Sequence, residues 1–359
     1  MRIEAMGAGA LGQGVCLLLV YLAVAVYPQH TAAQSGLTKI AFGSCAKQDR
    51  PQPIWNAVLA EQPDVFVFLG DNIYGDTENP DILRAKYQQL GRIEGFQRLR
   101  SSVPLLATWD DHDYGQNDAG RENPIKHESR QVMLDFWGEP ATSPRRTREG
   151  GIYSAHYLGE ADNRVQIILL DLRWNRSPIK AVTPLQNLKR KLQKRGPYRP
   201  DTSEQAVFLG EAQWQWLQRE LQQPARVRII ASSLQLLADF TGWEAWANYP
   251  RDLARLFEVI RAQQVEGLMV ISGDTHWAEI SRYDEGLPYP LIDITASGLT
   301  EEWHQISPNK NRISEAIAEA NYGLMTIDWR ADPVSIQLAI KNVEGKTLLS
   351  HDLTLDTLR

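Results

Sequence analysis

Five apolar runs in this chain stop at a polar cluster. Residues 39–42 lead into Gly43, Ser44 and Cys45. "DVFVFLGD", residues 64–71, ends in Gly70 and Asp71, and "PLLATWDDHD", residues 104–113, breaks into Asp110, Asp111 and His112. "RVRIIASSLQ" closes on Gln235, and "GLMVISGDTH" on Gly273, Asp274 and His276. Short, nearly continuous apolar runs bounded by turn residues read as strands buried on both faces. In sheets of this kind, ligands bind beyond the carboxyl ends of the strands. Where these ends converge, carboxylates, a thiol and imidazoles share one edge.

Helical patterns separate the strands, over residues 54–59, 81–93, 128–137, 211–221 and 251–263. A further strand is expected over residues 164–173. The second half turns strand-rich, over residues 290–295, 324–329, 334–340 and 347–355, the last two forming a hairpin around "NVEGK". The expected class is α/β, with sheets at the core and helices on both outer faces.

Composition bounds the rest. The net charge of −6 argues weakly against a nucleic-acid partner, and no nucleic-acid-binding module, internal repeat or low-complexity tract is visible. Arg2, an apolar run over residues 15–26 and a small-residue site at Thr31-Ala32-Ala33 read as a signal peptide cleaved near Ala33. The run is shorter than the roughly 20 residues of a spanning helix. Glu4 weakens the basic flank, so an uncleaved anchor stays open as the second reading. Residues 34–359 would then form the mature chain, expected as a single domain, secreted or periplasmic, with Cys45 as its lone thiol. Residues 177–205 read as a basic insertion carrying a solvated helix, or else a rim that attracts an anionic substrate or lipid.

Asp71, Asp110, Asp111, Asp113 and Asp274 recur at strand ends. Singly, each suits a turn or cap. Gathered, they repel, and force proton uptake unless cations intervene. Hard carboxylate oxygens suit hard cations.

Four motifs carry a family resemblance: "GSC" (43–45), "GDNIYGD" (70–76), "WDDHDYGQND" (109–118) and "SGDTHWAEI" (272–280), with "LLDLRWNRSP" and "EAQWQWL" between the last two. Together they resemble the PhoD-like alkaline phosphatases of the calcineurin-like metallophosphoesterase superfamily. The resemblance implies a four-layer α-β-β-α sandwich, two mixed β-sheets flanked by helices. It also implies hydrolysis of phosphate mono- or diesters by metal-activated water. On this pattern Cys45, Asp71, Tyr74 and Asp274 hold Fe3+. Asp71 and Asp111, with Asn117 as a weaker third, hold Ca2+; Mn2+ or Zn2+ are the alternatives. A phenolate at Tyr74 needs a strong Lewis acid, because the free side chain has a pKa of about 10.

The remaining roles rest partly on the resemblance, which places His112 beside the phosphate, and partly on the chemistry of the residues themselves. His112 orients the phosphate or protonates the leaving oxygen, with Asp113 as its orienter. His276 ligates metal or holds the nucleophile. Arg173 clamps a phosphate or pairs with an acid, and His304 and Asn321 are weak rim candidates. Longer relatives carry an N-terminal β-sandwich, which is not expected here. A C-terminal hairpin stands where a capping helix would narrow the pocket, so monoester and diester substrates both stay open. Two rival readings persist: a diester specialist of phospholipase type, and a non-catalytic protein that binds metal or phosphate. The expected partner is a small phosphate ester, and the basic insertion is the candidate for a weak anionic-surface contact.

Overall fold

A computed structural model describes residues 36–359. The expected leader, its cleavage site and Cys16 lie outside the described residues. The first strands are β1 (Leu37–Gly43), β2 (Val65–Leu69), β3 (Leu105–Thr108), β4 (Ser154–Leu158), β5 (Val165–Leu169), β6 (Lys180–Ala181) and β7 (Tyr198–Arg199). They continue as β8 (Val227–Ser232), β9 (Leu268–Ser272), β10 (Ala278–Tyr283), β11 (Leu291–Ala296), β12 (Asn321–Asp328), β13 (Ser335–Asn342) and β14 (Thr347–Thr354). The helices are α1 (Ile54–Ala60), α2 (Pro80–Gly91), α3 (Glu94–Ser102), α4 (Asp111–Tyr114), α5 (Lys126–Phe136), α6 (Pro184–Leu192), α7 (Glu211–Glu220) and α8 (Pro250–Ala262).

Two six-stranded sheets form, ordered β14-β13-β12-β1-β2-β3 and β10-β11-β9-β8-β5-β4. Both are mixed. β1, β2 and β3 run parallel, as do β5, β8, β9 and β11, while the outer strands pair antiparallel. β6 and β7 make a separate two-stranded hairpin that carries α6.

The alternation of β2, "VFVFL", shows why the layers stack. Val65, Val67 and Leu69 join a core shared with Ile167, Ile229 and Met269 of the second sheet. Phe66 and Phe68 point the other way, to Trp55 of α1, Leu83 and Tyr87 of α2, and Phe96 of α3. Successive strand residues face opposite sides, so a strand apolar at every position needs a partner layer on each. Each buried Phe contributes about 1.5–3 kcal/mol through area removed from water. The second sheet is covered by Trp214 and Leu217 of α7 and Leu256 and Ile260 of α8. The architecture is therefore the expected four-layer sandwich.

Several elements escape the sequence pattern, among them the short α4, β6 and β7. The helix expected over residues 81–93 ends at Gly91, and α3 follows at once. β4 ("SAHYL") is an edge strand with a half-exposed face, so it lacks a continuous apolar run. β10 hides behind the "SGDTHW" turn. No helix among the described residues is long and apolar enough to cross a membrane.

Candidate metal centre

The parallel strands of both sheets deliver their carboxyl ends to one place, and the backbone there is unusual. Cys45, Asp71, Asp274 and His276 take φ of 65°, 50°, 75° and 62°, in the left-handed region. A side chain there costs on the order of 1 kcal/mol or more, and such positions collect at functional sites. Two glycines let the strand ends touch. A Cβ on Gly70 would lie 2.6 Å from the Asp110 Cβ, and one on Gly273 would lie 2.5 Å from the Ser44 Oγ.

Around these turns, four groups of side chains place ligand-type atoms within 4.8 Å of one another. They are Cys45 with Asp71 and His276; Asp71 with Asp111 and His112; Asp71 with Asp110, Asp111 and Asp274; and Asp111 with Asp118 and Glu244. Asp71 belongs to three of the groups. Its Oδ2 lies 3.5 Å from the Cys45 Sγ, while its Oδ1 is buried with no hydrogen-bond partner. Asp110 Oδ2 and Asp111 Oδ1 are left the same way. Two like charges this close repel by about 3 kcal/mol at the effective dielectric of a protein.

The electrostatics state the same need. Burial, with Cys45 and Asp111 adding to it, pushes the Asp71 carboxyl well above its usual range, although His112 opposes the shift. Burial also lifts Asp274 far up, reinforced by Asp110 and Asp111, and raises Asp110 to about 6 against the pull of Arg173. The Cys45 thiol is pushed up to about 12 by burial, despite hydrogen bonds with Ser297 and Ser44 at 3.2 and 3.4 Å. Buried, unpartnered carboxylate oxygens beside a thiol and two imidazoles fit cations, and the donor set suits metal rather than solvent.

Most expected site residues meet here. Tyr74 stacks on His112 with ring centres 4.1 Å apart, and its hydroxyl lies 3.0 Å from the His276 Nε2. Asp274 joins the carboxylate group, whereas His276 is the third member beside Cys45 and Asp71. Ser44 keeps the turn role expected of it, its Oγ accepting from the Asp274 N–H at 3.2 Å.

Asp113, Asn117 and Asn321 depart from expectation, and Arg173 takes the acid-pairing one of its two expected roles. Asp113 does not orient His112. In the single turn of α4, successive side chains splay by about 100°, so Asp113 points inward, away from His112. It accepts instead from Asn72, from the Tyr87 hydroxyl at 3.0 Å and from the Asp110 N–H at 2.7 Å. The His112 Nδ1 pairs with Asp76 at 2.6 Å. Burial alone would lower His112, but Asp111, Asp71 and Asp76 together raise it to about 11. Arg173 is fully buried and offers no phosphate clamp. Its Nε donates to Asp110 at 2.5 Å, and its other nitrogens lie 3.6 Å from Asp111 and 2.8 Å from Glu244. Burial would raise Asp111, yet Arg173, His112 and the Asp118 N–H at 2.6 Å hold it low. Asn117 is exposed and donates to Asp118. Of the rim candidates, Asn321 is buried and bonded to Glu319, and His304 sits exposed beside Glu302.

Asp76, Asp110, Asp118 and Glu244 join the site beyond the expected roles. Three of them stand inside the quoted motifs, where their spacing was a usable signal. Glu244 lies in an aromatic loop, "TGWEAW", with no local signal at all. It earns its place through Arg173 and Arg176, both fully buried.

The sequence pattern of the PhoD-like phosphatase family matches residues 40–320. Among solved structures, "Structure of PhoD" superposes with a TM-score of 0.67 at 14% identity, over 90% of this chain and 71% of that one. A dimetal phosphatase from Danio rerio gives 0.50 at 15% identity, over 89% of this chain and 99% of that one. A curated relative from Arabidopsis thaliana, "Probable inactive purple acid phosphatase 14", is 26% identical over 93 residues, which is 26% of this chain. That match spans 22% of the plant protein's length.

Proposed function

Because the chain belongs to the PhoD-like phosphatase family, we propose that it is a metal-dependent phosphoesterase whose centre is built on Asp71. The observation that carries this reading is the set of buried carboxylate oxygens without hydrogen-bond partners, on Asp71, Asp110 and Asp111, at the one edge where both sheets end. In this reading Cys45, Asp71 and Tyr74 hold ferric iron together with Asp274 or His276. Asp71, Asp110 and Asp111 hold calcium. Asn117, facing solvent, has no part in it.

When bound, the metals supply Lewis acidity that activates water and neutralises charge on the phosphoryl oxygens. The protein's own groups do the rest. His112, stacked on Tyr74, is held by Asp76, which favours its protonated form, and stands ready to give a proton to the leaving oxygen. Arg173 acts through Asp110 and Asp111 as a positioning residue, holding their carboxylates toward the centre. The leader expected over residues 1–33 makes the working compartment secreted or periplasmic, and N-terminal sequencing of exported protein tests that. Residues 34–359 work as one catalytic domain.

Elemental analysis and turnover of p-nitrophenyl phosphate and its bis-ester test the reading together. Iron, calcium and a visible charge-transfer band are expected, with hydrolysis of at least one ester. A colourless, active, zinc-only protein would refute the iron assignment. Bound metal with no turnover of either ester would favour the binding-protein reading.

A further inference from the structure

The most exposed large apolar side chains among the described residues lie on one helix. Leu185, Leu188 and Leu192 of α6 are 79%, 62% and 85% exposed, and no residue of that helix is buried. Their spacing of three and four residues puts them within one narrow stripe of the helix surface. The helix spans nine residues and is held in shape locally. Thr183 and Gln186 form a reciprocal cap at its start, and Arg190 and Arg195 reach back over Phe240, their charged ends 5.2 and 5.6 Å from its ring. Arg195 donates to the Phe240 carbonyl at 2.9 Å. So the arginines fasten the segment to the body, and the leucines are left facing outward.

Charge completes the picture. Lys189, Lys191 and Lys194 are exposed, the first two flanking the leucine stripe on opposite sides. Between Ile179 and Pro200 there are seven lysines and arginines and no acidic residue, in a chain whose net charge is −6. An apolar stripe bordered by cations is the pattern of a helix that lies in the interface of a membrane. Long lysine stems can cover apolar surface while their heads reach anionic groups.

We propose that α6 is an interfacial anchor, which seats this protein on a bilayer surface rich in anionic headgroups. The three leucines enter the headgroup boundary and the three lysines meet the lipid charges. The anchor is coupled to the metal centre by geometry. It rides on the β6–β7 hairpin, whose Tyr198 hydroxyl donates to Asp118, and Ser307 donates to the Lys194 carbonyl at 2.6 Å. The docking is independent of whether the centre turns over substrate.

Hydrogen exchange of the full chain, read over residues 184–192, tests this without interference from binding elsewhere. Exchange there should slow on vesicles of phosphatidylcholine with phosphatidylglycerol, and not on phosphatidylcholine alone. The variant Leu185→Ser/Leu188→Ser/Leu192→Ser should lose that protection. Lys189→Gln/Lys191→Gln/Lys194→Gln should weaken the apparent affinity by about tenfold or more and flatten its dependence on salt. Unchanged exchange on anionic vesicles, or equal protection in the leucine variant, would overturn the proposal. So would slowing that grows with protein concentration in the absence of vesicles, which would make the stripe a self-association face.

Discussion

Two buried acids in this molecule meet opposite fates. Glu279, on β10, is wholly enclosed and fully served by protein donors. The Trp277 and Arg312 side chains each donate at 2.7 Å, Asn309 at 2.6 Å and Ser281 at 3.3 Å. Asp71 is as deeply buried, yet one of its oxygens has nothing. Burial alone therefore does not mark a functional carboxylate. A saturated acid is part of the scaffold, and an unsaturated one, gathered with others of its kind, is a request for a cation.

The largest test of that contrast is Asp71→Asn. Activity should fall about a thousandfold with loss of bound metal, because the shared ligand is gone. The metal-free protein should not lose thermal stability, since the Asp71 Oδ1 has no hydrogen-bond partner to give up. Turnover, metal content and melting in chelator measure all three. Glu279→Gln should do the reverse. Stability should drop by about 2–3 kcal/mol, since Arg312 loses its buried partner, while the folded fraction retains its turnover. Calorimetry beside a specific-activity assay reads the difference. If both substitutions cost stability and spare activity, the contrast collapses.

Chelation with pH variation is the next test. Asp110, Asp113 and Asp118 have folded pKa values raised to about 6, 7 and 8, so they favour folding while protonated. His112, raised to about 11, acts in the same direction. Their contribution is full below the unfolded values and is lost as pH rises through the folded ones. His276 and His156, lowered to about 4, work oppositely, but only below pH of about 6.5. Metal-free protein should therefore melt at lower temperature as pH climbs from 6.5 to 8.5, and added metal should flatten or reverse that slope. Smaller still is Asp76→Asn, which should reduce kcat about tenfold and shift the basic limb of the pH profile with little effect on metal content. Ser44→Ala should change kcat by less than about threefold, as fits a turn hydroxyl.

Strand ends and their acids were legible because buried parallel strands must be apolar at every position and must stop somewhere polar. Cys45, Asp71, Tyr74, Asp111, His112, Asp274 and His276 were found that way and through the motif resemblance. The partner of His112 was not, since adjacency in sequence favoured Asp113, and only the turn of α4 shows that Asp113 faces inward. Arg173 stayed open between a phosphate clamp and an acid pair for a similar reason: an arginine after a strand looks accessible until Glu244, 71 positions away in the chain, is folded against it. Edge strand β4 left no pattern because half of it is solvated.

The pairing of β1 with β12 has a temporal consequence. Leu37 lies opposite Asp328, and the Trp329 indole donates to Thr38 at 2.9 Å. A strand near the start of the described chain thus sits inside its sheet only after residues some 290 positions later have arrived. During synthesis β1 waits with one edge open, and contacts of this span make folding slow. The Cys45 turn waits likewise for the end of β11 and the turn after it, because the N–H groups of Leu299 and Thr300 donate to the Ser44 and Cys45 carbonyls. The thiol therefore passes through a window of exposure before its final burial.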